Sequence, residues 1–178
     1  DFAGSWTAEV GVDWRTANIE HFREVRDLLG GDFYIDPNGS DFWTGAENQR
    51  VLGDKINYHN ENTVDWLGAY MQAERATTDG SIYGMVGWAQ NAYTFVDFFR
   101  NDGSGGFRTL ETGNIHGYQI KGGAVRNLNQ EWSLFGNAGF ISKVPIFDGV
   151  IDDGDGVLNP DPKNEKFVSF ELGTQYLS

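Results

Sequence analysis

The sequence predicts an all-β fold of about six antiparallel, up-and-down strands. Three observations predict it: segments alternating apolar and polar residues, turn-forming tetrads between some of them, and connections that are long and short by turns. Composition agrees. Of 178 residues 24 are Gly, and aromatics make up 15%. Such a mixture favours strands and turns over helices.

The first strand is predicted from Ser5 to Arg15. Trp6, Ala8, Val10, Val12 and Trp14 fall on one face; Thr7, Glu9, Gly11, Asp13 and Arg15 fall on the other. The apolar face carries a Trp near each end, as a lipid-facing strand does, because Trp prefers the two membrane interfaces. A second strand is predicted over Val64 to Arg75, with Leu67, Ala69, Met71 and Ala73 on one face. Thr77-Thr78-Asp79-Gly80 reads as a tight turn into a third strand, Ser81 to Gln90, whose faces are blurred by Gly84 and Gly87. The fourth, Ile115 to Arg126, sets Tyr118, Ile120, Gly122 and Ala124 against Gln119 and Lys121. Asn127-Leu128-Asn129-Gln130 turns into the fifth, Trp132 to Ser142, with Leu134, Gly136, Ala138 and Phe140 sharing a face with Trp132. The sixth, Glu165 to Leu177, sets Val168, Phe170, Leu172 and Tyr176 opposite Glu171 and Gln175.

The connections then run long (16–63), short (76–80), long (91–114), short (127–131) and long (143–164). Three such long loops are unusual in a compact domain. They match the long extracellular loops and short periplasmic turns of a transmembrane β-barrel. No apolar stretch approaches the roughly 20 residues of a spanning helix, which leaves a barrel open, since only alternate barrel residues face lipid.

The net charge is −13, from 26 acidic and 13 basic residues. That argues against nucleic-acid binding, which needs Lys and Arg on phosphates, and is compatible with cations or neutral ligands such as sugars. Cysteine is absent, so disulfide and thiolate-metal chemistry are excluded. The chain begins at Asp1 without a signal peptide, which reads as a processed or incomplete chain.

Several blocks resemble one family. His21-Phe22-Arg23-Glu24-Val25-Arg26-Asp27-Leu28-Leu29-Gly30-Gly31-Asp32-Phe33-Tyr34 is followed by Arg50-Val51-Leu52-Gly53-Asp54-Lys55-Ile56-Asn57-Tyr58-His59-Asn60. Ser133-Leu134-Phe135-Gly136-Asn137-Ala138-Gly139-Phe140-Ile141-Ser142 comes later, then Asn159-Pro160-Asp161-Pro162-Lys163-Asn164-Glu165-Lys166 and Ser169-Phe170-Glu171-Leu172-Gly173. These resemble, in order, segments of TonB-dependent outer-membrane receptors of Bacteroidetes-type bacteria. The resemblance implies an outer-membrane location, lipid contact, and uptake of a nutrient, a glycan or else a metal chelate. It further implies energy from TonB acting through a plug domain, a surface lipoprotein as a partner, and no covalent chemistry or required cofactor. Such receptors close about 22 strands. The whole chain, 1–178, is therefore expected to be an internal barrel segment without the plug and the remaining strands.

The strongest chemical cluster is the acidic loop with Asp148, Asp152, Asp153 and Asp155. Carboxylates separated by Gly can wrap a hard cation such as Ca²⁺, although the bidentate Glu of a full EF-hand loop is missing; the competing reading is a solvated loop tip. Tyr34, Trp43 and Tyr58 in the first long loop are candidate ligand platforms, against the reading that they pack the loop on itself. Glu9, Asp13, Glu74 and Glu171 are candidates to line a lumen. His21, His59 and His116 have no paired metal-ligand spacing, and no nucleophile, phosphate-loop or dinucleotide motif occurs, so an enzyme is not expected. The alternative to transport is a soluble extracellular binding or filament module whose sheet edges pair with neighbours.

Overall fold

The computed structural model describes residues 4–177. Its strands, in chain order, are β1 (Trp6–Glu24), β2 (Tyr34–Ile35), β3 (Gln49–Arg50), β4 (Lys55–Thr77), β5 (Gly80–Asn101), β6 (Phe107–Glu111), β7 (Ile115–Asn127), β8 (Trp132–Lys143), β9 (Ile151–Asp152), β10 (Val157–Leu158) and β11 (Glu165–Tyr176). Six long strands form one antiparallel sheet in the order β1-β4-β5-β7-β8-β11, with β6 added beside β5. The short pairs β2/β3 and β9/β10 lie within long connections. Because the order is a simple meander, the turns at 78–79 and 128–131 share one end and the connections 25–54, 102–114 and 144–164 share the other.

The sheet is open, with β1 and β11 as its edges. The predicted strand order holds, but the six strands do not close into a barrel on themselves. The first three long strands are also longer than predicted. β1 continues to Glu24, β4 begins at Lys55 and β5 runs to Asn101. Alternation of apolar and polar residues marks only the stretch where the two faces meet different surroundings. Beyond it both faces are polar or packed, the period-2 signal fades, and backbone pairing carries the strand on.

Register is continuous. Val10 pairs with Met71, Met71 with Val86, Val86 with Ile120, Ile120 with Phe140 and Phe140 with Val168. Paired residues in an antiparallel sheet share a face. The apolar faces read from each strand separately therefore merge into one, and the third strand's ambiguity resolves with Ile82, Val86 and Trp88 on it. This face is open, with Val10 73% and Phe170 88% exposed.

The opposite face explains much of the glycine. Tyr70 pairs with Gly11, Tyr83 with Gly123 and Phe135 with Gly173. A Cβ on any of these glycines would overlap the partner's ring. Each aromatic thus lies down over a neighbouring strand, an arrangement that shields the glycine backbone. Tyr83 reaches across Gly123 to donate to Asn137 Oδ1 at 3.1 Å, and Asn137 Nδ2 donates to Glu171 Oε2 at 3.0 Å. Gly84, on the apolar face, has open space above it.

Valine is a better strand former than glycine, yet the two sites should respond with opposite signs. Gly84→Val is expected to leave stability unchanged or raise it, whereas Gly123→Val should cost about 1–3 kcal/mol by displacing the Tyr83 ring. Denaturant unfolding of the two variants checks this; equal effects would show that the ring-over-glycine contact carries no weight.

Candidate functional site

The apolar face is bordered at both ends. At the turn end stand Trp6 on β1 and the Trp132–Tyr176 pair on β8 and β11, whose ring centroids lie 4.9 Å apart. At the loop end stand Trp14, Trp88, Tyr118 and Phe140. The borders do not follow the rungs of the ladder. Trp6 is level, through Arg75, Ile82 and Ala124, with Gly136, and Trp132 lies 136 − 132 = 4 residues further toward the turns. Val12 is level, through Ala69, Trp88 and Tyr118, with Ser142. Trp14 stands two residues beyond Val12 and Phe140 two before Ser142, again 2 + 2 = 4. Both borders slant the same way by the same amount.

Four residues span about 13 Å along a strand and four strand spacings about 19 Å, which gives a slant of about 35°. The band is 14 − 6 = 8 residues long on β1 and 140 − 132 = 8 on β8, about 26 Å along the strand and about 22 Å after projection. Between the borders the charged side chains of this face among the described residues are confined to its turn end, where Arg126 is level with Leu134. Arg75, level with Trp6 at the border, lies over the Trp6 ring at 5.7 Å. Beyond Trp14 the same face of the same strands turns polar, with Thr16, Asn18 and Glu20 beside Asp65, Thr63 and Glu61.

The other face is polar and carries Glu9, Asp13, Glu74 and Glu171 together, as alternation requires. Near the loop end the connection 144–164 folds back onto it. Val150 and Ile151 bury against Tyr93 and Phe95, the latter 0% exposed. Tyr93 Oη donates to the Pro145 carbonyl at 2.7 Å, and Asn164 Nδ2 donates to the His116 carbonyl at 2.7 Å and to Ser142 Oγ at 2.9 Å. This apolar clasp separates two concavities. One, of about 480 Å³, lies toward mid-strand and is lined by Trp66, Tyr70, Asn91, Tyr93 and Ile141 among others. The other, of about 320 Å³, lies toward the loops and is polar, with His21, Asn60, Asp97 and Asp153 in its wall.

Neither the clasp nor the second concavity is visible to local sequence reading. Val150 and Ile151 sit inside an acidic run, and Asn60 and Asp97 inside strands; only the register brings His21, Asn60 and Asp97 onto one rung.

The candidate ligand aromatics do not converge. Trp43 packs against Phe99 with centroids 4.9 Å apart and carries the Arg50 guanidinium 4.3 Å over its ring, so it fastens the first long loop to β5. Tyr34 is in the small β2/β3 ladder opposite Arg50. Tyr58 alone borders the polar concavity. In the acidic loop Asp152 Oδ1 accepts the N–H groups of Gly154 and Asp155 at 3.1 and 3.0 Å, closing the β9/β10 hairpin. Asp148, Asp153 and Asp155 are exposed. Among the described residues no three His, Cys, Asp or Glu side chains are grouped as metal ligands. His59 is used structurally: Glu20 accepts from both His59 and Lys55, and Phe98 lies against the imidazole at 4.4 Å.

No family model, curated protein or solved structure matches the chain.

The run 102–106, read from sequence as a flexible loop, is organised by Asp102. Ser104 donates to its carboxylate from the backbone N–H at 2.7 Å and from Oγ at 2.8 Å, and the Gly106 N–H donates at 3.0 Å. These bonds, the Ser104 backbone bond first, hold the carboxyl below its ordinary value of 3.8. A depressed carboxyl contributes order above its unfolded pKa and loses it as pH falls through the folded value. The Ser104 and Gly106 amides should thus stay protected from hydrogen exchange down to the ordinary Asp range and lose protection only below it. Loss at pH 5 to 6 would show that Asp102 does not hold the turn.

Proposed function

We propose that this chain is part of the wall of an outer-membrane uptake receptor, with its apolar face in lipid and its polar face toward the transport path. The single observation that carries the reading is the slanted, aromatic-bordered apolar band. Strands of outer-membrane barrels tilt by about 35–45° and carry an apolar band about 25 Å tall between aromatic girdles. A band parallel to the membrane then crosses the rungs obliquely, as these two borders do. Arg75 at the border has the place of a snorkelling side chain.

The open edges fit the same reading. Lipid does not tolerate unpaired backbone groups, so in a membrane β1 and β11 pair with strands outside this sheet. Resemblance of the blocks around His21, Asn60, Asn137 and Asn164 to TonB-dependent receptors supports uptake as the purpose. It adds a glycan as the transported class, TonB as the source of energy through a plug domain, and a surface lipoprotein as partner. In this role the chain does no covalent chemistry and needs no cofactor. Ca²⁺ at Asp148, Asp152, Asp153 and Asp155 stands as a separate proposal, requiring the exposed carboxylates to close on the ion.

A second reading, a soluble module pairing edge to edge, is favoured by the two free edges. It leaves the whole apolar band to be covered by protein with matching slanted borders.

Substitution separates the two. Val10→Arg and Phe170→Arg should weaken partition of the chain into phosphatidylcholine vesicles by about 2–4 kcal/mol, and Gln72→Arg on the polar face by under about 1 kcal/mol. A chain that stays in the aqueous phase, or partitions equally in all three variants, would sink the membrane reading.

A further inference from the structure

Two exposed arginines on the apolar face have no anionic partner in the sheet. Arg75 on β4 pairs in register with Trp6 and Ile82, and Arg126 on β7 with Gly80 and Leu134. None of these four neighbours is charged. Neither arginine takes part in an ion pair among the described residues, and the turn carboxylates Asp79 and Glu131 reach neither guanidinium. The chain has 26 acidic and 13 basic residues, yet it places no carboxylate beside these two.

Their positions follow the slanted border. Arg75 is level, through Ile82 and Ala124, with Gly136, and Arg126 is level with Leu134. They are therefore offset by 136 − 134 = 2 residues along the strands and stand two strands apart. The border shifts by four residues over four strands, hence by two over two. Both arginines lie on one line parallel to it, at one depth, about 12 Å from each other along the sheet. Toward mid-band from Arg126 the face is hollowed. A shallow trough of about 990 Å³ is lined by Ile82, Ile120, Ala124, Gly136, Val168 and Phe170 among others. The loop-end border is built differently. Beyond it the same face carries Glu20, Glu61 and Asp65 on β1 and β4, with Lys55 already held by Glu20 and Lys166 on the far edge strand.

We propose that the turn-end border binds an anionic phospholipid, its phosphate held by Arg75 and Arg126 and an acyl chain lying in the trough. The inference rests on the membrane reading and names the lipid that this border selects. A guanidinium is weakly hydrated and offers a planar fork of donors that matches phosphate oxygens. Its stem can lie along apolar surface while the charge stays at the headgroups. A zwitterionic headgroup brings its own cation along with the phosphate and leaves the pair of guanidiniums uncompensated, whereas a net negative headgroup offsets them. The chain as a whole, at −13, is repelled by anionic lipid, so a preference confined to this border cannot arise from bulk attraction.

The test reads lipid composition locally. The whole chain carries one fluorophore, on Leu134→Cys beside Arg126 or on Val12→Cys at the loop end of the band. It is placed in vesicles of equal phosphatidylglycerol and phosphatidylcholine, with one or the other lipid brominated. Quenching at 134 is expected to report phosphatidylglycerol enriched about fivefold over its bulk share, the gain from about one arginine at an anionic surface. At 12 no enrichment is expected. Arg75→Gln with Arg126→Gln should abolish the preference at 134 while quenching at 12 persists, which shows that the variant still inserts. Arg23→Gln with Lys163→Gln removes equal charge from the loop side and should leave the preference within about twofold. Equal quenching by both lipids at 134, the same enrichment at 12, or a preference that survives in the Arg75/Arg126 variant would overturn the inference with the membrane reading intact. No quenching by either lipid at either position would overturn both.

Discussion

The structure depends on one constraint, the unbroken backbone register across six antiparallel strands. Side chains alternate with a period of two, so a slip of one residue between any two strands would carry an entire apolar set to the wet face. No slip occurs from β1 to β11 in the stretch between the aromatic borders. Five interfaces in succession pair apolar with apolar, from Val10 through Met71, Val86, Ile120 and Phe140 to Val168. The bulge at Phe22/Arg23 lies in the extension beyond Trp14, outside the apolar band. An exposed apolar surface of this extent is not left in water by a stable protein, so what covers it is the central question of function.

The polar face obeys a different economy. Rings lie over glycines instead of standing upright, which keeps the middle of that face low and open while Tyr83, Asn137 and Glu171 tie β5, β8 and β11 together. Height is added in one place, where Val150 and Ile151 bring the connection 144–164 down onto Tyr93 and Phe95. One apolar clasp of four buried residues thus divides the face into an aromatic hollow and an acidic cup.

What could be read beforehand follows the same physics. Faces were legible in β1, β7, β8 and β11 because lipid-like and wet surroundings differ most where Val, Ile and Phe alternate with Asp, Gln and Lys. In β5 Gly84 and Gly87 hid the pattern, since a glycine's face is set by its neighbours: Gly123 is understood only once Tyr83 is seen above it. The outer halves of β1, β4 and β5 carry no strand signal because their Thr, Asn and Asp residues do not alternate with apolar ones. The candidate site was the least legible part. Tyr34, Trp43 and Tyr58 are close in sequence but go to three different tasks, while His21, Asn60, Asp97 and Asp153 are scattered along the chain and meet only through register and the inward fold. Sequence proximity suggested the acidic loop as a ligand cluster, but gave no sign that Asp152 also closes a hairpin.

The central claim is that the apolar band lies in a bilayer with its borders at constant depth. The chain has no native cysteine, so single cysteines can be placed at will and labelled with a fluorophore. Quenching by phosphatidylcholines brominated at successive acyl positions then reports the depth of each. Positions 8 and 134 belong to strands whose borders are offset by four residues, and both lie two residues inside the turn-end border. The account predicts equal depth for these two, greatest burial for positions 10 and 136, and no quenching at 72 or 119 on the polar face. Equal depth for positions level in register, such as 8 and 138, together with unequal depth for 8 and 134, would contradict the slanted band. Absence of quenching at every position would contradict membrane insertion itself.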